Sequence, residues 1–121
     1  MLLKLDLRIG AEWRSGSATF GSANPYTGKI WSEIPEATFQ DVDDAVMAAR
    51  DAFDNGPWPR MSVEERSGYI HKLADLIERD AEKLAELESQ DNGKALREVV
   101  GQIRAIPEWY RYFARLAAVQ A

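Results

Sequence analysis

Few residues of this chain have the types and spacing that catalysis or metal binding requires. There is no cysteine, so no thiolate nucleophile, thiolate metal site or disulfide can form. His71 is the only histidine, and it follows the apolar Ile70 on a predicted helix. Because no second imidazole accompanies it, His71 is better explained as a surface or flanking residue than as a base or ligand.

Two short segments match part of a ligand-binding loop motif but lack other residues that the motif requires. Gly16–Gly21 has the glycine spacing of a phosphate-binding loop, but Ser22-Ala23 stands where Lys-Ser/Thr must follow. Asp41–Asp44 is similar to the start of a calcium loop, yet the glycine and the distal glutamate are missing. Acidic residues are common in the first turn of a helix, and that explanation suffices.

The remaining candidates are surface carboxylates and an aromatic run. The helical glutamates alternate with lysines and arginines, which is typical of solvated helix faces. Trp109–Phe113 has the rings for base stacking, but a net charge of −5 gives no reason to expect nucleic acid or an anionic membrane as partner. Local chemistry therefore indicates no catalytic or cofactor-binding residue.

Asp91 is the one residue placed against a local rule. The segment Leu73–Lys94 is amphipathic and ends at Asn92-Gly93, a typical helix stop. Asp91 thus lies at a helix C-terminus, where the backbone dipole disfavours a negative charge. Such a placement indicates either tolerance or a separate role.

Length and composition predict a soluble globular protein with one domain, since the chain has 121 residues, of which 45% are hydrophobic and 29% charged. Met1–Ile9 alternates apolar and charged residues, unlike a signal peptide, and no run approaches the roughly 20 apolar residues that span a bilayer. We therefore expect a cytoplasmic location and no membrane partner.

The elements that must position these residues fall into two layers, which predicts an α+β fold. Residues 1–37 alternate with period 2 and contain turn residues, notably Asn24–Gly28, which predicts an antiparallel β-meander of three or four strands. Residues 38–121 have helical periodicity and predict about five α-helices.

Three signals mark the boundaries of these helices. Thr38–Asp41 and Ser62–Glu65 fit capping boxes, and Asp80 is a candidate cap for a third helix. The first helix should bury a stripe that includes Val42 and Val46. Two further helices are predicted, namely Ala95–Arg104 and Glu108–Val119, the last with Pro107 in its first turn.

The order of these motifs resembles the N-terminal part of the NAD(P)-dependent aldehyde dehydrogenase superfamily from about Ile9 onward. The resemblance rests on these segments: Ile9–Trp13, Phe20, Asn24–Lys29, Asp41–Val46, Ala48–Phe53, Trp58, Glu65-Arg66, Leu73–Glu78, Leu87-Glu88, Asp91–Lys94 and Tyr110–Ala114.

The resemblance implies an enzyme that oxidises aldehydes to carboxylic acids with NAD or NADP. A cysteine thiolate would attack the aldehyde, a hydride would pass to the nicotinamide, and a glutamate-activated water would release the acid. The cysteine, the glycine-rich cofactor loop and the oxyanion asparagine have no counterparts in residues 1–121. This segment would thus be scaffold of the α/β cofactor-binding domain (meander 1–37, helical layer 38–121), without the main sheet and the catalytic domain.

The resemblance also implies partners and one ligand site. The partners would be the remainder of the dehydrogenase chain, the aldehyde and further copies in a homodimer or homotetramer. A monovalent cation, K⁺ or Na⁺, would bind the carbonyls of Ser22 and Ala23 and the carboxylate of Asp91, since hard cations take oxygen ligands. Alternatively, Asp91 is a partly solvated cap residue that bonds the backbone of the Asn-Pro turn.

Two other interpretations of the chain remain open. It could be a free-standing helical interaction module derived from such an enzyme, or a structural remnant without function. The two-layer architecture without a main sheet favours the scaffold interpretation. In that case the isolated chain should expose an apolar surface larger than the few hundred Å² of ordinary monomers. It should then associate or be marginally stable, and it should not oxidise aldehydes or bind NAD.

Overall fold

The computed structural model describes residues 2–119, apart from the side chain of residue 118, so Met1, Gln120 and Ala121 of the predicted layers lie outside it. The chain divides into two units, Met1–Arg60 and Met61–Ala121. Strands precede helices, and the predicted α+β class is confirmed.

The first unit contains two small sheets. Strands β1 (Leu3–Lys4), β5 (Ile30–Glu36) and β4 (Ala18–Ala23) form one sheet in that spatial order. Strands β2 (Leu7–Ile9) and β3 (Glu12–Arg14) form a separate antiparallel hairpin.

The pairing of the strands differs from the single antiparallel meander that the sequence predicts. β4 and β5 are antiparallel, but β1 is parallel to β5, with Leu3 opposite Ser32. Within the alternating stretch, residues 3–9 form two strands, because the chain leaves strand geometry at Leu5 and Asp6. Alternation identifies the two faces of a strand and leaves its partner open, which is why the prediction failed here.

The turn between β4 and β5 is closed by its own side chains and backbone. Asn24 Oδ1 accepts hydrogen bonds from the backbone N–H groups of Tyr26, at 2.9 Å, and Thr27, at 3.2 Å. Gly28 donates its N–H to the Asn24 carbonyl at 2.8 Å and has a φ of 68°, a conformation that favours glycine. The predicted Asn24–Gly28 turn is confirmed.

Helix α1 (Phe39–Asp54) completes the first unit with a 3-10 helix at Trp58–Arg60. Both halves of the predicted capping box are present, since Thr38 accepts from the Asp41 N–H and Asp41 accepts from the Thr38 N–H. Arg14 of β3 holds the helix through an ion pair of 2.5 Å with Asp44. The predicted burial of Val42 and Val46 is wrong, because α1 has no buried residue.

The second unit is a packed set of three helices, α2 (Val63–Arg79), α3 (Ala81–Asn92) and α4 (Leu96–Val119). Ser62 and Glu65 form the predicted capping box of α2. The core lies between α3 and α4. It contains Ala81, Ala85, Val99 and Ile103, against which Ile77, Val100 and Ile106 pack.

Two boundaries in this unit correct the sequence prediction. The predicted helices Ala95–Arg104 and Glu108–Val119 are replaced by one helix of 24 residues, Leu96–Val119, so residues 2–119 contain four α-helices rather than about five. Pro107 lies inside this helix and is fully buried, so its packing offsets the hydrogen bond that proline removes. Asp80 makes no side-chain cap bond and instead pairs with Arg79.

Candidate functional site

Ser22 and Ala23, two of the predicted cation ligands, are the last residues of β4. Ser22 lies opposite Ser32 of β5, whereas Ala23 lies opposite Ile30. Trp31 is therefore an extra residue on β5 without a counterpart on β4, and the register shifts at this point. Such a bulge locally disrupts the ladder of backbone hydrogen bonds and leaves the extra residue, Trp31, outside the regular pairing.

The same bulge contains two buried polar atoms without a hydrogen-bond partner among the described residues. They are the indole Nε1 of Trp31 and the hydroxyl Oγ of Ser32. Ser32 is 1% exposed and is a buried polar residue on the central strand of its sheet. A buried hydroxyl without a partner costs roughly 1–3 kcal/mol, so the group needs an explanation.

Asp91, the third predicted ligand, lies in the last turn of α3, in the second unit. The helix ends as predicted, because Gly93 has a φ of 78° and donates its N–H to the Ser89 carbonyl at 3.0 Å. Asn92 Oδ1 accepts from the Lys94 N–H at 2.9 Å. The structure thus places Ser22 and Ala23 side by side on one strand and Asp91 on a helix of the other unit.

The stop also includes an ion pair. Lys94 Nζ lies 2.9 Å from Glu88 Oε1 across the helix end, and Ser89 donates its hydroxyl to the Lys94 carbonyl at 2.7 Å. The hydrogen bond from Lys94 lowers the pKa of Glu88 below its ordinary value. Lys94 therefore provides a positive charge at the C-terminal end of α3, where the helix dipole favours a cation and where Asp91 carries a negative charge.

Two other candidate segments have structural roles. Ala18–Ala23 is a strand, which is incompatible with a phosphate loop over Gly16–Gly21. Asp41 serves the helix cap, and the hydrogen bonds from Thr38 lower its pKa. Within residues 2–119 no three His, Asp or Glu side chains cluster in a way that could hold a metal ion.

Sequence reasoning missed the charge cluster that holds α4 against α2. Arg111 Nη2 lies 2.8 Å from Asp75 and 2.6 Å from Glu78 of α2, and its Nη1 lies 3.1 Å from Glu108. The Arg111 side chain is 19% exposed, and its three carboxylate partners raise its pKa. The only sequence signal was the i, i+3 spacing of Asp75 and Glu78 on one face of α2.

The C-terminal half of α4 carries several aromatic side chains. Tyr112 and Phe113 meet edge to face with ring centroids 5.2 Å apart. A shallow groove of about 310 Å³ runs along the helix and is lined by Glu108, Trp109, Tyr112 and Arg115. Trp109 is 64% exposed, whereas tryptophan side chains are highly buried on average in folded proteins.

Exposed apolar surface extends well beyond this groove. The chain exposes 9060 Å², whereas two separate compact proteins of half its mass of 13.6 kDa would together expose about 7,900 Å². Any contact between the two units would only reduce the exposed area, so the excess of the measured area over the expected area does not depend on how the units are arranged. The large apolar side chains that are exposed include Phe39 at 94%, Met47 at 69%, Phe53 at 67% and Val119 at 82% exposure.

Comparison with known proteins identifies the family. A sequence model described as the aldehyde dehydrogenase family matches residues 13–120. The chain belongs to the aldehyde dehydrogenase family. The resemblance inferred from the motifs is thereby confirmed.

Individual aldehyde dehydrogenases show how much of the family's length is present. The chain is 43% identical over 114 residues to (Z)-2-((N-methylformamido)methylene)-5-hydroxybutyrolactone dehydrogenase of Acinetobacter baylyi, covering 94% of this chain and 23% of that protein. It is 47% identical over 89 residues to the human mitochondrial aldehyde dehydrogenase, covering 71% and 17%.

Solved structures agree on the fold. An NAD-dependent aldehyde dehydrogenase from Sinorhizobium meliloti matches with a TM-score of 0.88 at 36% identity, covering 94% of this chain and 23% of that one. The NAD⁺ complex of an aldehyde dehydrogenase from Bacillus cereus matches with a TM-score of 0.86 at 43% identity, covering 92% and 23%. This chain thus spans about a quarter of the relatives that it matches, at their N-terminal part. Among the helices described, none is both long and apolar enough to cross a membrane.

Proposed function

We propose that this chain is the N-terminal scaffold of an enzyme that oxidises aldehydes to carboxylic acids with NAD⁺ or NADP⁺. The observation that carries the proposal is the match of nearly the whole chain to a quarter of NAD-dependent relatives. Residues 1–37 and 38–121 would then be the strand and helical parts of one cofactor-binding domain. The remainder of the enzyme would supply the main sheet, the cysteine nucleophile and the nicotinamide site.

The contribution of this chain would be structural. Arg111 joins α4 to Asp75 and Glu78 of α2, and Arg14 joins β3 to Asp44 of α1, so α4 and α1 each have a charged anchor to a neighbouring element. These anchors leave apolar faces exposed that need a covering partner. An excess of about 1,200 Å² over two compact units is more than one partner contributes to an ordinary stable interface, about 800 Å². The rest of the dehydrogenase chain would cover these faces. The complete enzyme would be a cytoplasmic homodimer or homotetramer.

A monovalent cation, K⁺ or Na⁺, forms part of this proposal. The carbonyls of Ser22 and Ala23 and the carboxylate of Asp91 would hold it, and their donor chemistry fits, since all are hard oxygen ligands. The cation would supply a fixed positive charge that offsets the placement of Asp91 at a helix end. The competing interpretation, in which Asp91 only caps the Asn-Pro turn, predicts that the difference in unfolding temperature between K⁺ and a large organic cation is the same for the parent chain and for Asp91→Ala.

The function is tested by joining the chain to its continuation. We expect the 121-residue chain alone to show no aldehyde oxidation, measured as NADH or NADPH absorbance, because the nucleophile lies outside it. The chain continued through its downstream coding sequence should oxidise aldehydes. Activity of the 121 residues alone, or a continuation without a cysteine and a glycine-rich loop, would contradict the proposal.

The second candidate function is a free-standing helical interaction module, favoured by the exposed faces of α1 and α4. The two functions differ in solution behaviour. A scaffold separated from its enzyme should associate or unfold with low cooperativity, as observed by light scattering and calorimetry. A sharp, monomeric unfolding transition would instead favour the independent module.

A further inference from the structure

The bulge between β4 and β5 brings a buried hydroxyl beside the proposed cation ligands. Ser22 and Ser32 lie directly opposite each other on antiparallel strands. Directly opposite residues project their side chains from the same face of the sheet, with Cβ atoms about 4.5–5.5 Å apart. Ser32 is therefore an immediate cross-strand neighbour of the residue whose carbonyl is proposed to bind the cation.

The Ser32 hydroxyl needs a partner that the described residues do not supply. It is 1% exposed and has no hydrogen-bond partner within residues 2–119, in contrast to most buried polar groups of folded proteins. Its position on the central strand places it between β1 and β4, with Leu3 and Ser22 as its neighbours in register. An apolar or small residue would satisfy packing there without the cost of an unpaired hydroxyl.

We propose that the Ser32 Oγ is a further ligand of the monovalent cation held by the carbonyls of Ser22 and Ala23. The inference rests on the cation part of the proposed function and adds a residue to it. Hydroxyl and carbonyl oxygens are neutral, hard donors, a set that suits Na⁺ or K⁺ better than a thiophilic or strongly acidic metal. The neighbouring Trp31 Nε1 is a donor only, so it cannot bind the cation.

The test compares Ser32→Ala with Ser17→Ala, an exposed serine of the same unit. Thermal unfolding of the chain continued through its downstream coding sequence is measured in KCl, in NaCl and in choline chloride at equal ionic strength. Binding is measured directly by the line width of the ²³Na resonance during titration with each protein. Neither measurement depends on enzymatic activity.

The proposal predicts a crossed result. In choline, Ser32→Ala should unfold at or above the temperature of the parent chain, because an unpaired buried hydroxyl has been removed. In K⁺ or Na⁺ the parent and Ser17→Ala should gain stability, whereas Ser32→Ala should lose that gain and bind Na⁺ about tenfold more weakly, the smaller end of the effect of losing a metal-site group.

Two outcomes would overturn the proposal. One is a cation-dependent gain that Ser32→Ala retains, which would make the hydroxyl a bystander. The other is a parent chain that does not respond to K⁺ or Na⁺ at all. Neither outcome bears on the dehydrogenase assignment, since that is decided separately by the activity of the continued chain.

Discussion

Truncation of Val99 tests whether the contact between α3 and α4 is the core of the second unit. Val99 is completely buried and packs with Ala81, Ala85 and Ile103. Val99→Ala removes two methyl groups, a loss of about 1.6 kcal/mol in transfer free energy. Because two of the neighbours are alanines, few side chains can move into the space, so we expect a cavity term of about 1 kcal/mol.

A control in the same secondary structure isolates the effect of burial. Val→Ala also raises helix propensity by about 0.5 kcal/mol, which brings the expected net loss for Val99→Ala to about 2 kcal/mol. Val46→Ala makes the same chemical change on α1 at a side chain that is 63% exposed. Its propensity gain should nearly balance its smaller transfer loss, so we expect a change within about 0.5 kcal/mol.

The assay is urea and thermal unfolding followed by circular dichroism, carried out on the chain continued through its downstream coding sequence, because the 121 residues alone are expected to associate or unfold with low cooperativity. A loss of about 2 kcal/mol in a unit of this size should lower the melting temperature by about 10 °C. Equal shifts for Val99→Ala and Val46→Ala would refute the reasoning, because the α3–α4 contact would then contribute no more stability than an exposed helix surface.

Three further changes probe the helix ends and the charged anchor. Gly93→Ala should lower the free energy of unfolding by about 1 kcal/mol in urea titration, because φ is 78° there, whereas Gly68→Ala, in an open position within α2, should raise it by about 0.5 kcal/mol. The pKa of Asp41 is lowered below its ordinary 3.8 by hydrogen bonds from Thr38, so its stabilising effect is complete above that value and is lost as the pH falls through the lowered pKa. The parent should therefore lose melting temperature more steeply than Asp41→Asn below about pH 4, and parallel profiles would contradict this. Arg111→Met keeps the apolar stem but removes the positive charge that pairs with three carboxylates, so the melting temperature should fall. The difference in melting temperature between the variant and the parent should narrow in concentrated salt. A difference unchanged by salt would contradict an electrostatic anchor.

The candidate site was only partly predictable from the sequence. Ser22, Ala23 and Asp91 came from the resemblance, whereas Ser32 carried no signal, since a serine in an alternating strand is ordinary. Its significance depends on the register that places it opposite Ser22 and on the bulge at Trp31. Register is set by pairing between strands, which one strand's sequence does not specify.

Arg111 was missed for a related reason. Its partners Asp75 and Glu78 lie more than thirty positions away on another helix, and only the packing of α4 on α2 brings them together. Local spacing showed charged residues on a solvated face and could not distinguish an anchor from a surface charge. The same limit made the predicted stripe on α1 wrong, because amphipathic spacing identifies an apolar face and does not show whether anything covers it.

The sequence by itself determined the features that depend on neighbouring residues. The capping boxes at Thr38 and Ser62, the turn at Asn24–Gly28 and the helix stop at Gly93 are all where short-range chemistry predicts them. These features follow from hydrogen bonds and φ preferences within a few residues, so they need no tertiary context.

Only the tertiary structure decided the features that depend on distant partners. It paired β1 in parallel with β5, and it kept α4 continuous through Pro107 because that residue is buried in packing. It also left the face of α1 exposed. In each case the outcome depends on which surfaces meet across long stretches of chain, and the free energy of burial outweighs the local preference of a single residue.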